Sequence, residues 1–271
     1  MLVAGTQEHE EPALMAALRA SLATERFGRT AESRWLARVD STNVILRAAA
    51  RAGAPEGTIV AAEEQVAGRG RQGRRWQAPY GSSILVSLLL RPPPEVNTGL
   101  LPFVAAVAAA TILEEAFDLP VTLKWPNDVQ VGGRKLAGIL VEGEFTGDRL
   151  DGVVAGMGLN CNVDRPTLAA LDVPATSLLA ELGRPVERVP LLAALLARWE
   201  QQYTALLAGT SPIPAWRQRV AMLGATIEVR EGGLAPWQGV ALDVVDGGAL
   251  LVRDESGTIR TLHAAEVSVR T

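Results

Sequence analysis

Apolar positions along this chain change period several times, and each change marks an element. "PALMAALRASLATERF", residues 12–27, carries apolar residues at helical spacing behind a proline, which predicts a first helix. "STNVILRAAARAG" predicts a second, with Ser41 or Thr42 as its cap and Gly53 as its stop. "GTIVAAEEQ" reads as a strand leading into a glycine-rich stretch, and "SSILVSLLL" is apolar enough to be a buried strand. "LLPFVAAVAAATILEEAF" is a long helix. Its apolar run of 14 residues includes a proline and suits a buried helix better than a membrane span.

Three segments with strand character follow: "VTLKWPNDVQV", "RKLAGILVEGEF" and "LDGVVAGMGLNCNV". Gly132-Gly133 joins the first two as a tight turn and "TGDR" joins the next, so the pattern is an antiparallel meander. In that register Lys135 lies about opposite Gln130, and Ala137-Gly138 about opposite Asn127-Asp128. Helices return at "TSLLAELG" and "VPLLAALLARWEQQYTALLAG". Near residue 222 the character shifts. "ATIEVREGG", "WQGVALDVVDGG", "ALLVRDESG" and "TIRTLHAAEVSVR" are short strands with glycine-rich turns, which predict a small β-barrel. The division expected is 1–222 and 223–271.

Composition narrows the classes. The 271 residues carry a net charge of −4, so the overall field does not draw the chain to nucleic acid and any basic patch is local. A single cysteine, Cys161, excludes an intrachain disulfide, and the acidic start "MLVAGTQEHEEP" lacks the basic region of a signal peptide. A cytoplasmic protein, with no membrane partner, is the expectation. The two histidines, His9 and His263, lie far apart in sequence, which leaves zinc sites and Ser-His-Asp triads unsupported; no protein metal site is expected. The chemistry is left to arginine, lysine and carboxamide groups.

Three stretches carry that chemistry. "GRGRQGRRW", 68–76, spells G-x-G-x-x-G, but a dinucleotide turn needs a helix opening inside it, and "RRWQAPYGSS" runs through proline and glycine into a strand. A solvated basic loop is the plain alternative. Four arginines in nine residues repel one another unless an anion is present, and guanidinium forks bind phosphate bidentately. A loop that folds around phosphates, mobile when empty, accounts for both glycines and arginines. "KWPNDV" reads plainly as a strand end and turn. Gly138, Gly156 and Gly158 on the neighbouring strands leave a floor for a flat ligand, bordered by Lys124 and Lys135. "DSTN", 40–43, is explained in part by helix capping; its remaining polar groups and the helix amides suit a polar ligand head.

Together, "DSTN", "GRGRQGRRW", "KWPNDV", "KLAGILVE" and "GMGLN" stand in the order and at the intervals of the biotin–protein ligases, which this chain resembles over residues 40–162. The resemblance implies an α+β catalytic domain on a largely antiparallel sheet, related to class II aminoacyl-tRNA synthetases and lipoyl ligases, followed by an SH3-like barrel. It implies ATP-dependent formation of biotinyl-5′-AMP, with Mg²⁺, and transfer of biotin to a lysine of a biotin carboxyl carrier protein. Residue by residue it assigns Ser41, Thr42, Asn43 and Gln65 to the biotin ring system. Arg69, Gly70 and Arg71 cover the biotin carboxylate and the adenylate phosphate; Arg74 meets phosphate and Trp76 lies near the adenine. Lys135 sits at the carboxyl–phosphate junction, touching biotin as well. Lys124, Asn127, Asp128 and Asn160 line the nucleotide side, and Arg270 in "EVSVR" approaches ATP. Arg71, Lys135 and Asp128 are the catalytic candidates. About 39 residues before "DSTN" are too few for a winged helix, so no DNA role is expected; a homodimer stays open. A lipoyl ligase and a non-catalytic nucleotide-binding regulator are the rival readings.

Overall fold

The computed structural model describes residues 9–147, 149–231, 235–263 and 265–269, without the side chains of Gln72 and Glu266. The elements in chain order begin with α1 (Pro12–Ser21), β1 (Arg34–Val39), α2 (Thr42–Arg51), β2 (Ile59–Gln65), β3 (Ser83–Leu90) and α3 (Leu101–Phe117). Then come β4 (Val121–Lys124), β5 (Asp128–Val131), β6 (Arg134–Thr146), β7 (Arg149–Asn160), α4 (Arg165–Ala169), α5 (Leu178–Leu182), α6 (Arg188–Leu207) and α7 (Ile213–Arg217). The last strands are β8 (Thr226–Arg230), β9 (Trp237–Val244), β10 (Leu250–Asp254), β11 (Ile259–Leu262) and β12 (Glu266–Val269).

Seven strands form one sheet in the order β1-β2-β3-β7-β6-β5-β4. Only β1 and β2 pair in parallel, across the α2 crossover; the rest is antiparallel. β1 is too short and too flanked by arginine to show in the apolar pattern. The expected meander is present, with two refinements. "VTLKWPNDVQV" is two strands that turn back at residues 125–127, so that Lys124 faces Asp128. The Gly132-Gly133 turn, with φ of 56° and 73°, has both central residues in the left-handed region that a type I′ hairpin requires. A bulge after Val129 then sets Gln130 opposite Lys135, Val129 opposite Ala137 and Asp128 opposite Gly138.

Two expected elements come out shorter. α1 ends at Ser21 because the backbone N–H groups of Glu25, Arg26 and Phe27 donate to the Glu200 carboxylate of α6 rather than into a helix. "TIRTLHAAEVSVR" splits into β11 and β12, which lie at opposite edges of a five-stranded antiparallel sheet, β11-β10-β9-β8-β12. α3 has buried residues on every side and packs against α6 beneath the large sheet, which explains its unbroken apolar run. One contiguous core joins α3, α6 and the large sheet to Ile227, Val229, Ala241 and Leu250 of the small one.

Candidate active site

The N-terminus of α2 meets the sheet at a polar cluster. Ser41 is buried at 2% exposure and occupies the cap position, but its hydroxyl makes no cap bond. Gln65, the last residue of β2, takes that part: its Oε1 accepts from Thr42 N at 2.8 Å and from Thr42 Oγ1 at 3.0 Å. This leaves the Gln65 Nε2 donor turned away from the helix, toward Gly68. Ser87 Oγ stands 2.7 Å from Thr42 Oγ1 and 2.6 Å from Asn43 Oδ1, so its one proton serves one of two acceptors. Asn43 Nδ2 donates to Glu142 Oε2 at 2.7 Å. The Asn43 amide is therefore engaged on both sides by the protein, whereas Gln65 Nε2 stands beside Gly68 at the start of the arginine loop.

The arginine loop follows directly. Arg69 and Arg75 pair as an antiparallel bridge, Gly70 N donates to Arg74 O and Trp76 N to Gly68 O, and a short 3₁₀ turn at Arg71–Gly73 closes the tip. No α-helix opens here, so the dinucleotide reading of the glycines falls. The loop walls a cleft of about 660 Å³ whose other side is Leu140 and Glu142 of β6. Arg69, Arg74 and Arg75 are exposed, whereas Arg71 is half-buried. Burial holds the Arg71 guanidinium below its ordinary range; the charge of Asp128 opposes that shift, and Arg74 adds to it.

Beyond the loop, Trp76 lies on the sheet. A Cβ on Gly158 would stand 2.7 Å from the indole Cζ2, and one on Gly138 would stand 3.1 Å from Cζ3. The glycine floor expected to lie open for a flat ligand is thus covered by the protein's own side chains, Trp76 over Gly138 and Gly158 and Asn43 over Gly156. The indole Nε1 is buried without an acceptor among the described residues. Lys135 Nζ sits 5.6 Å from the ring centroid and 2.7 Å from Asp128 Oδ1, an ion pair whose angles are not those of a hydrogen bond. Asp128 thus acts electrostatically on both Arg71 and Lys135.

The two remaining asparagines act as struts. Asn127 Nδ2 donates to Ile139 O at 2.6 Å, and buried Asn160 donates through Nδ2 to Thr176 O at 3.0 Å. The second bond draws residues 174–176 against β6, where Lys135 N donates to Pro174 O and Thr176 N to Lys135 O. Lys124 ends β4 opposite Asp128. Arg270 lies outside the described residues. Sequence reasoning missed Ser87, Leu140 and Glu142. Ser87 carried a signal, a hydroxyl inside a strand buried from end to end. Glu142 and Glu144 carried another, two carboxylates at strand spacing in an apolar run.

An arginine loop along a cleft, a polar helix N-terminus and a lysine–aspartate pair on a mixed sheet make a site suited to an anionic ligand. The model of the biotin/lipoate A/B protein ligase family matches residues 35–160. The chain is 38% identical over 242 residues to the biotin–[acetyl-CoA-carboxylase] ligase of Paracoccus denitrificans, covering 86% of this chain and 98% of that one. It is 33% identical over 240 residues to the bifunctional ligase/repressor of Bacillus subtilis, covering 85% and 72%. Among solved structures, the biotin protein ligase from Aquifex aeolicus in complex with biotin and ATP superposes with a TM-score of 0.76 at 28% identity, covering 89% of this chain and 99% of that one. The chain belongs to the biotin/lipoate A/B protein ligase family, and its fold is that of the biotin protein ligases.

Proposed function

We propose that this chain is an ATP-dependent biotin–protein ligase. The biotin carboxylate oxygen attacks the α-phosphorus of ATP, the bond to the β-phosphate oxygen breaks, and pyrophosphate leaves. The ε-amine of a lysine on a biotin carboxyl carrier protein then attacks the acyl carbon of biotinyl-5′-AMP. AMP departs with the bonding pair, and the amine gives its proton to a base or to water. The observation that carries the reading is the Lys135–Asp128 ion pair, with half-buried Arg71 and a polar pocket at the start of α2 on the same part of the sheet. An anionic carboxylate must approach an anionic triphosphate, and preorganised cations in a partly closed site offset that repulsion.

The residue roles are those the family resemblance implies, and the local geometry supports several of them. Ser41, Thr42 and Gln65 hold the ureido head of biotin, with Asn43 behind them as a fastener. Arg69, Gly70, Arg71 and Arg74 cover the carboxylate and phosphate, Lys135 neutralises charge at their junction, and the adenine lies against Trp76. Lys124 and Asp128 border the nucleotide, Asn127 and Asn160 hold the strands that present them, and the family resemblance assigns Arg270, outside the described residues, to ATP. No group of three potential acidic, histidine or cysteine metal ligands occurs among the described residues. That fits Mg²⁺ as a nucleotide-borne ion, held chiefly by phosphates and at most one or two carboxylates, with Asp128, beside Lys135, as the candidate. When bound it shares the neutralisation of phosphate charge.

The same reading divides the chain into a catalytic unit, 1–222, and a C-terminal unit, 223–271, whose five strands close as an SH3-like barrel. It places the enzyme in the cytoplasm with its ATP. DNA is left outside its partners, since the net charge of −4 gives no general attraction to a polyanion. Biotin-dependent exchange of pyrophosphate into ATP tests the function. Exchange with lipoate alone assigns the chain to lipoyl ligation, and ligand binding without exchange makes it a non-catalytic nucleotide-binding protein.

A further inference from the structure

Asn43, Arg47 and Arg51 recur every four residues along α2, and so share one helix face. Leu140, Glu142 and Glu144 recur every two residues along β6, and so share one sheet face. Four helical residues rise about 6 Å, and two strand residues rise about 6.7 Å, so the two rows mesh rung for rung. Asn43 Nδ2 meets Leu140 O at 3.4 Å and Glu142 Oε2 at 2.7 Å. Arg47 donates from Nη1 to Glu142 Oε1 at 3.1 Å and from Nε to Glu144. Arg51 Nε donates to Glu144 Oε2 at 2.8 Å. Gly156 on β7 lets Asn43 come down to the sheet, since a Cβ there would stand 3.0 Å from Asn43 Cγ.

We propose that Glu142 is the positioning residue of the head-group pocket. It holds the first turn of α2, and through it Thr42 and Gln65, at the spacing the ligand head requires. A carboxylate on the wall of a cleft for anions costs binding unless its charge is met. Here Arg47 and Asn43 meet it, one carboxylate oxygen each. On the other side of Asn43, the Ser87 hydroxyl approaches both Asn43 Oδ1 and Thr42 Oγ1, which completes the line from Glu142 to the pocket. Glu144, one rung further, pairs with Arg47 and Arg51 and fastens the helix without a bond to Asn43 among the described residues.

The inference rests on the ligase reading, so the wild-type enzyme is assayed first; absence of biotin-dependent pyrophosphate exchange would reject that reading itself. With exchange established, Glu142→Ala is expected to raise the KM for biotin about tenfold or more, equivalent to ~1.4 kcal/mol, while the KM for ATP stays within about twofold and kcat falls little. Glu142→Gln keeps an acceptor for Asn43 and recovers part of the loss. Ser87→Ala, which removes no charge, shifts the biotin KM in the same direction and carries the test if Glu142→Ala does not fold. Arg51→Ala, at the far end of the ladder, lowers the melting temperature and leaves the biotin KM unchanged. The proposal is overturned if Glu142→Ala and Ser87→Ala leave the biotin KM unmoved, if both substrates' KM values rise together, or if Arg51→Ala raises the biotin KM as much.

Discussion

Lys135 and Cys161 show how differently one side chain is treated on the two sides of this sheet. Lys135 Nζ lies beside Asp128 and over the Trp76 ring, at the edge of the proposed site. Removing a preorganised cation from such a site typically costs ~2.7–4 kcal/mol, or roughly 10²–10³ in rate. Lys135→Ala and Arg71→Ala are accordingly expected to lose biotinyl-AMP formation by about that factor while giving native circular dichroism; normal adenylation by both would remove them from the machinery. Cys161, by contrast, is fully buried, and burial pushes its thiol up to about 12. An unfolded chain releases that proton near 8.5, so between about 8.5 and 12 the unfolded state binds fewer protons and stability falls as pH rises. Iodoacetamide near pH 8 should leave the native protein unlabelled and modify Cys161 only after denaturant is added.

At the scale of elements, the arginine loop and the strand pair beneath it work as a unit. Gly158 is small because the indole of Trp76 occupies the space a side chain would take. Gly158→Ala is expected to push the ring off the sheet and to raise the KM for ATP about tenfold with the KM for biotin unchanged. Equal effects on both substrates would show that the ring serves the whole site rather than the nucleotide side. The loop itself exposes Arg69, Arg74 and Arg75, three sites for trypsin. Biotin with ATP should slow cleavage there, read by mass spectrometry of the fragments; cleavage at an unchanged rate would mean that the loop does not close on ligand.

Across the whole molecule, the small sheet and the large one are tied through the "KWPNDV" segment. Trp125, between Lys124 and Asn127, donates its indole N–H to Gly248 O at 2.9 Å, and Phe103 of α3 packs edge-on against Trp216 in the same contiguous core. Trp125→Phe keeps most of the apolar volume but leaves that carbonyl without its partner, a loss of ~1–3 kcal/mol. Calorimetry should show a lower melting temperature and still one transition, because the core is shared. Two separated transitions would mean that the sheets unfold independently.

Period and punctuation determined most elements. The long apolar helix, the Gly132-Gly133 hairpin and the small C-terminal strands are local consequences of side-chain spacing and of turns that only certain residues adopt. The candidate motifs stood out as well, since four arginines in nine residues are more than a turn needs. Tertiary structure decided what each polar group touches. It ended α1 at Ser21 because a carboxylate 175 residues away takes the next N–H groups. It laid Trp76 on the glycines and turned Asn43, Asn127 and Asn160 into struts. It also brought Ser87 and Glu142 to the start of α2. A spacing rule reaches a few residues along the chain, whereas a hydrogen bond needs only proximity. Which donor meets which acceptor was therefore set when helix and sheet packed.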